Sequence, residues 1–166
     1  MTVTLSPLYQ RAGFMLRRAH QLSVGLFEEQ CRSLGLTPSQ YTALSVLAAS
    51  PGMDQSSLAR SMGFDKVTTL RLVRGLEQRQ LVQRSLNLHD KRQHQLTLTE
   101  AGQELLVLAA PFVDAAYQKL IHPLSQEELS QLLALLTKLE ADLGPGARVR
   151  FTPLNTLLKA GSTQAY

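Results

Sequence analysis

Apolar residues recur at helical spacing in the first part of the chain and again towards its end. In residues 7–34 this spacing predicts one long amphipathic helix, which Gly35 ends. Near the other end, Ser125 and Glu128 have the spacing of a capping box and predict a helix that ends near Leu143. The apolar stripe of this last helix is Leu129, Leu132, Leu133, Leu136 and Leu139.

Three shorter helices are predicted between these regions. Thr37-Pro38 is typical of a helix start, and that helix should run to about Ala49. A helix over residues 55–62 follows with Asp54 as its cap, and one over 66–79 with Asp65 as its cap. In the helix over residues 66–79, an apolar stripe is expected to be buried. A tight crossing with another helix would explain why this helix contains Gly75. The stripe is Thr69, Leu72, Val73 and Leu76.

After residue 80 the period changes from helical to alternating. Residues 81–84 and 94–98 read as two short strands joined by a polar loop, which predicts a β-hairpin. A further helix should begin at Glu100 with Thr99 as its cap, and Pro111 should kink or break it. Residues 147–166 show no clear period and form either a flexible tail or a segment that folds back onto a partner.

The two capped helices followed by a hairpin have the order of a helix-turn-helix with a wing. The second helix must then bury one face and present the other to the major groove, while the hairpin reaches the minor groove. Leu70 on the outward face has an alternative role in packing on a neighbouring helix. Asp90 is expected to orient the hairpin tip by pairing with an arginine, either Arg84 or Arg92. The candidate DNA-contacting residues are Ser56, Lys66, Val67, Thr68, Leu70, Arg71, Arg74, Arg84, Lys91 and Arg92.

The distribution of charge agrees with this interpretation. The chain of 166 residues has a net charge of +4, but residues 60–94 hold eight basic and three acidic residues, whereas the remainder holds nine and ten. A local excess of this kind favours a polyanionic partner, with a solvated surface as the alternative. The composition is that of an ordinary globular protein. Without a secretory start or an apolar run of spanning length, a cytoplasmic protein is expected.

The combined motifs resemble the MarR family of winged-helix transcriptional regulators. The resemblance rests on residues 58–82, on Asp90-Lys91-Arg92 in the hairpin, and on Leu98-Thr99-Glu100-Ala101-Gly102 at the next helix. It covers roughly residues 8–143. One departure is Gln80, where the family usually has a glycine that ends the recognition helix, so the helix end is expected to differ slightly.

The resemblance implies a mainly α fold with a small β-hairpin wing, in a single domain over residues 1–166. Residues 36–98 would form the winged helix-turn-helix, and residues 144–166 a C-terminal tail. The helices of residues 7–34 and 99–143 would form the interface of a homodimer, whose two reading heads bind an inverted repeat. The implied function is that of a sequence-specific regulator, expected to be a repressor.

The resemblance also suggests a small-molecule effector. The segments around Arg17-Arg18-Ala19-His20 and Leu36–Tyr41 look most like regulators of aromatic-acid catabolism, so an aromatic acid or its CoA thioester is the expected ligand. Arginine can bind a carboxylate and aromatic rings can stack on the ligand. For each residue the alternative is a solvated or interface side chain. The candidate ligand-binding residues are Phe14, Arg17, Arg18, His20, Phe27 and Tyr41.

Other functions have less support from the sequence. Cys31 would allow a redox-responsive regulator if its thiol were reactive, although a lone cysteine on an apolar helix is more often inert packing. An architectural or protein-interaction module with weak DNA binding is a further alternative. The familiar motifs of hydrolases, nucleotide-binding proteins and zinc proteases do not occur. We therefore expect neither enzymatic activity nor a metal or other cofactor.

Overall fold

A computed structural model describes residues 6–86 and 94–157 of the chain. Within these ranges the fold is mainly helical, with one small antiparallel sheet. The helices are α1 (Ser6–Tyr9), α2 (Ala12–Gln30), α3 (Pro38–Ala49), α4 (Gln55–Met62), α5 (Lys66–Gln78), α6 (Glu100–Ile121) and α7 (Gln126–Leu143). The strands are β1 (Met53–Asp54), β2 (Val82–Leu86) and β3 (His94–Leu98).

The prediction of a single helix over residues 7–34 is wrong, because the structure divides this region into three helical segments. Arg11 has an extended backbone between α1 and α2, with φ −75° and ψ 132°. After α2 the chain passes through Cys31 into a 3₁₀ turn, Arg32–Leu34, and then into Gly35 with φ 58°. Apolar spacing continues across these breaks, so periodicity alone does not reveal them.

The helix starts that the capping residues predict are confirmed. Each cap side chain accepts a hydrogen bond from a backbone N–H of the first turn, which satisfies a donor that has no partner inside the helix. The α3 start is also a full capping box, since the Thr37 N–H donates to the side chain of Gln40. The capping residues are Thr37, Asp54, Asp65, Thr99 and Ser125.

The sheet has the strand order β1-β3-β2, and both pairings are antiparallel. The predicted hairpin is confirmed, but β2 continues to Leu86, beyond the expected end at Arg84. Strand β1 was not predicted, because two residues are too few to show alternation. Its pairing of Met53 with Leu96 joins the start of α4 to the sheet.

Pro111 does not break α6, which continues from Glu100 to Ile121, so of the predicted kink or break the break is wrong. Proline removes one intrahelical donor and normally disfavours a helix interior. Two features offset this cost here. The carbonyl that loses its donor belongs to Val107, a residue that is 75% exposed. The helix also packs along α2 and buries Ala109 and Ala116.

The hydrophobic core lies where α3, α4 and α5 meet the sheet and the adjoining ends of α2 and α6. It includes the buried Phe27 of α2 and the buried Cys31 that follows it. The same core therefore holds the helix-turn-helix and the long helices together. Its buried members are Phe27, Cys31, Leu36, Ala43, Leu44, Leu47, Leu58, Val73, Leu76, Leu81, Val82, Leu96, Leu98 and Ala109.

The terminal helices leave large apolar side chains uncovered. Helix α7 has no buried residue, although its sequence has the predicted leucine stripe. Exposed leucines of α7 reach 62% at Leu135 and 63% at Leu143, and α1 and α2 expose apolar residues as well. An extended apolar surface of this kind is unusual in a monomeric protein and marks an interaction surface.

Candidate DNA-binding surface

Helix α5 has one buried face and one outward face, as its sequence predicts. Thr69, Val73 and Leu76 are buried, while Leu72 is half-buried. The outward residues that are exposed are Lys66, Val67, Thr68, Arg71 and Arg74. Leu70 lies between the faces and is half-buried, which suits both of its expected roles.

Asp65 holds the start of α5 in place. Its carboxylate accepts the Thr68 N–H at 2.7 Å and the Thr68 hydroxyl at 3.0 Å. These hydrogen bonds lower the pKa of the Asp65 carboxyl below its ordinary value, and the charge of Arg148 contributes to the same direction. The carboxylate thus remains ionised near neutral pH, and the Thr68 hydroxyl is committed to the cap.

Helix α4 precedes α5 through a tight turn at Gly63, whose φ is 64°. The Phe64 N–H donates to the carbonyl of Ala59 at 2.9 Å, which closes the end of α4 before the chain enters α5. Because a residue with a side chain is strained at this φ, glycine suits the position. The two helices and this turn form the expected helix-turn-helix.

Asp54 fixes the start of α4 and the strand β1 at the same time. Burial alone would raise the pKa of its carboxyl, but hydrogen bonds from Ser57 and Ser56 outweigh that effect and lower it, helped by the charge of Arg60. The two N–H groups donate at 2.7 Å for Ser56 and 2.9 Å for Ser57. The exposed Ser56 side chain is left on the outer side of the first turn.

Arg84 connects the wing to the recognition helix. Its Nε donates to Oε1 of Glu77 at 3.1 Å, and its Nη2 donates to Oε1 of Gln55 at 3.3 Å. The side chains of Arg84 and Glu77 are 27% and 29% exposed. The sequence left Arg84 and Arg92 as alternative partners for Asp90, and the structure pairs Arg84 with Glu77 of α5. The geometry favours a positioning role for Arg84 over direct DNA contact.

The predicted wing-tip residues lie outside the described part of the chain. They are Asp90, Lys91 and Arg92.

Helix α5 ends in a left-handed residue, although Gln80 stands where the family usually has glycine. Gln80 adopts φ 57°, the left-handed region where glycine is usual. The Gln80 N–H donates to Glu77 and the Leu81 N–H donates to Leu76, which is the hydrogen-bond pattern of a Schellman motif. The Thr99 hydroxyl also donates to the Gln80 carbonyl at 2.6 Å. The expected change in the helix end is therefore small, because these bonds hold the glutamine in place.

Sequence comparison places these features in a family. A model of the MarR family matches residues 36–94, from the start of α3 to the start of β3. A protein of Thauera aromatica, named as a transcriptional regulatory protein for the hcr operon, is 32% identical over 131 residues. That match covers 76% of this chain and 77% of the relative. This chain belongs to the MarR family.

Solved structures of similar proteins have the same fold as this MarR-family regulator. A transcriptional regulator from Pseudomonas aeruginosa has a TM-score of 0.77 at 32% identity, covering 80% of this chain and 98% of that one. The repressor CouR, solved with a 23-mer DNA duplex, has a TM-score of 0.76 at 27% identity, covering 84% and 99%. CouR from Rhodococcus jostii RHA1 with p-coumaroyl-CoA has a TM-score of 0.70 at 28% identity, covering 83% and 95%.

These similarities confirm the predicted winged-helix fold and the identification as a transcriptional regulator rather than an enzyme. Among the described residues, no cluster of three or more metal-ligating side chains occurs. Of the described helices, none combines the length and the apolar character that crossing a bilayer requires.

The candidate ligand residues of this MarR regulator fall into two groups. The guanidinium of Arg17 lies 5.0 Å from the ring centroid of Phe14, and the Arg18 side chain donates to Gln21 at 3.4 Å. His20 is exposed on the same helix. The second group is Phe27 with Tyr41, whose ring centroids are 5.9 Å apart.

The two groups are separated along α2. Phe14 and Phe27 are thirteen residues apart in one helix, which corresponds to about 20 Å along its axis. Phe27 is also 8% exposed and belongs to the core. A single pocket in one protomer therefore does not unite all six candidates. Arg17 and Phe14 remain available for a ligand at the uncovered surface of α2, whereas Phe27 has a core position.

Sequence reasoning missed three arginines near the helix-turn-helix. Arg60 is exposed on α4, and Arg148 and Arg150 are exposed in the segment after α7. All three line a cavity of about 360 Å³ beside the start of α5. The basic residue types were visible in the sequence, but the aperiodic segment gave no indication of where it folds.

Proposed function

We propose that this protein is a homodimeric, sequence-specific repressor that binds an inverted-repeat operator and is released by a small aromatic acid or its CoA thioester. The observation that supports DNA reading best is the outward face of α5, where exposed cations accompany Val67 and Thr68 on a helix whose other face is buried. Arginine can bond guanine, and small apolar groups can contact the methyl group of thymine.

The proposed DNA contacts divide by their chemistry. Arg71 and Arg74 lie in the middle of the outward face of α5, where they would read base edges. Lys66 at its start and Ser56 on α4 suit phosphate contacts, which add affinity without sequence preference. Val67 and Leu70 would provide apolar contacts. Lys91 and Arg92 would enter the minor groove from the wing, with Asp90 orienting that tip and Arg84 fixing its base on Glu77.

The proposed dimer interface consists of residues 7–34 and 99–143. Its support is the uncovered apolar surface, since α7 buries none of its residues and leaves its leucine stripe open. A second copy that packs its own terminal helices there would remove this surface from water, which is strongly favourable. Residues 36–98 of each copy would then form the two reading heads, with residues 144–166 as the tail of the domain.

The proposed effector class follows from the relatives and from α2. CouR, a DNA-binding repressor of similar fold, is known in a complex with p-coumaroyl-CoA. In this chain Arg17, beside the ring of Phe14, combines a carboxylate-binding cation with a stacking surface. Arg18 and His20 would add polar contacts from the same helix. Tyr41 lies with Phe27 near the other end of α2, so it would not contact the same ligand within one protomer.

The redox alternative has little support. Cys31 is fully buried, and burial raises the pKa of its thiol, so the reactive thiolate is disfavoured. An effector that acts at the surface of α2 therefore explains regulation better than oxidation of this cysteine.

The test is selection of operator sequences from a randomised duplex library, followed by affinity measurements. We expect one inverted repeat to bind at least 10³-fold more tightly than random DNA, as for specific regulators. Arg71→Ala should weaken binding and relax base preference, whereas Lys66→Ala, which removes a proposed phosphate contact, should weaken binding and leave the base preference unchanged. Equal affinity for every sequence would refute the proposal and support an architectural module instead.

Effector release is measured on the selected operator. Cinnamic and benzoic acids and their CoA thioesters are titrated against the complex, with free CoA and acetate as controls. We expect an aromatic member to release the DNA and Arg17→Ala to weaken that response. Release by peroxide in the absence of any response to these compounds would instead support the redox alternative.

A further inference from the structure

The chain after α7 folds back onto the helix-turn-helix of the same protomer. The Thr152 N–H donates to the carbonyl of Arg60 near the end of α4 at 2.9 Å. The Phe151 side chain lies against Gly63, since a Cβ placed on that glycine would be 3.6 Å from the Cβ of Phe151. We call residues 147–152 the C-terminal arm. Its docking brings a segment outside the family match to the turn before the recognition helix.

The arm brings positive charge to a surface that is already basic. Arg148 and Arg150 line the cavity of about 360 Å³ together with Arg60 and Lys66. Asp65 is the one carboxylate among these lining residues, and the Thr68 hydrogen bonds already engage it as a helix cap. In the described part of the chain, neither arm arginine takes part in an ion pair. The cluster therefore has a surplus of cations with free donors.

Such a surplus indicates an anionic partner. Like charges that gather at one site repel each other, and an anion that enters among them removes this cost and gains charge-assisted hydrogen bonds. The cavity adjoins the first turn of α5 and includes Ser56, so it is continuous with the surface proposed to meet DNA. An extended polyanion that lies on α5 would pass directly beside it.

We propose that Arg148 and Arg150 bind the phosphate backbone of DNA beside the recognition helix, so that the C-terminal arm enlarges the footprint of each reading head. This inference rests on the proposed DNA-binding function and deepens it. The arm contributes affinity and its salt dependence, whereas Arg71 and Arg74 contribute base preference, because phosphates carry no sequence information directly.

The experiment measures operator affinity of the full chain as a function of salt. For B-DNA, each phosphate contact contributes about 0.9 to the slope of log K against log salt concentration. The double variant Arg148→Ala/Arg150→Ala loses two contacts in each protomer, and therefore four in the dimer, so the slope should fall by about 3.6. Its affinity deficit should then be roughly 150-fold larger at 50 mM than at 200 mM salt. The preferred operator sequence should stay the same.

Matched controls separate charge from structure. The pair Arg148→Lys/Arg150→Lys keeps the charges and should retain most of the slope. If the alanine pair does not fold, Arg148→Gln/Arg150→Gln carries the same expectation.

The outcomes also distinguish the two proposals. If the double alanine variant binds the operator with the same affinity and salt slope as the unmodified protein, and Arg71→Ala still relaxes base preference, the arm proposal is overturned. The proposed function as a sequence-specific repressor then still stands. The arm proposal is also overturned if the double alanine variant loses the binding of free CoA, measured by calorimetry, but keeps the salt dependence of DNA binding. The cluster then serves a small phosphate ligand. Absence of sequence-specific binding by the unmodified chain overturns both proposals.

Discussion

Gly102 in the first turn of α6 lies directly against the backbone carbonyl of Leu81, which begins the wing. A Cβ at residue 102 would overlap that oxygen. The same carbonyl accepts the Thr99 N–H at 3.1 Å, and the Thr99 hydroxyl caps the Gly102 N–H at 3.1 Å. The Leu-Thr-x-x-Gly motif therefore joins the end of the helix-turn-helix to α6 by a close backbone contact.

This contact predicts that Gly102→Ala is strongly destabilising. The added methyl group forces the helix away from Leu81 and strains two capping hydrogen bonds, at a cost of about 1–3 kcal/mol. Urea denaturation followed by circular dichroism measures the change. An unaltered midpoint would contradict the close approach.

Gly75 in α5 is the matched control. A Cβ at that position meets nothing within 4 Å, so the expected tight helix crossing is absent there. Gly75→Ala should therefore stabilise the protein by about 0.5–1 kcal/mol, because alanine has the higher helix propensity. The opposite signs at Gly102 and Gly75 separate steric overlap from helix propensity in one assay.

The sequence predicted local features of the fold better than contacts between distant segments, such as the one at Gly102. Local chemistry was sufficient for the starts of the helices, since a cap such as Asp65 needs only its own first turn. Long-range packing was not visible in the sequence. It keeps α6 continuous through Pro111, pairs the two-residue β1 with β3, and docks the C-terminal arm on α4. None of these contacts leaves a periodic pattern.

The candidate site shows the same division. The outward face of α5 could be predicted from its period, because the buried residues fix which side remains. The pairing of Arg84 with Glu77 depends on how β2 returns beside α5, so the sequence did not indicate Glu77 as its partner. The position of Arg148 and Arg150 depends on a turn beyond α7 and was not predicted.

The left-handed backbone of Gln80 predicts that substitution by glycine increases the stability of the protein. The glutamine has φ 57°, which is costly for a residue with a side chain, and the Schellman hydrogen bonds hold it there. Gln80→Gly relieves this strain and should stabilise the protein by about 0.5–1 kcal/mol. The same change at Gln78, within α5, should instead destabilise it. A loss of stability at both positions would show that the left-handed conformation carries no strain.

Asp54 predicts a pH-dependent difference between the protein and its Asp54→Asn variant. The folded pKa of Asp54 is lowered, so its carboxylate stabilises the fold above the ordinary value near 3.8 and this contribution disappears as the pH falls through the folded pKa. Asparagine still caps the helix. Denaturation at pH 7 should favour the unmodified protein, and the difference should vanish as the pH is lowered below 3.8. A difference independent of pH would contradict an ionised cap.

Cys31 predicts a thiol that reacts slowly in the folded protein. Its side chain is fully buried in the core, and burial raises its thiol pKa, so both access and thiolate content are low. A chromogenic disulfide reagent at pH 8 should label Cys31 much more slowly in the folded state than in urea. Cys31→Ser should give a peroxide response of DNA binding identical to that of the unmodified protein. Rapid labelling of the folded state, or loss of a peroxide response in the serine variant, would return the redox alternative to first place.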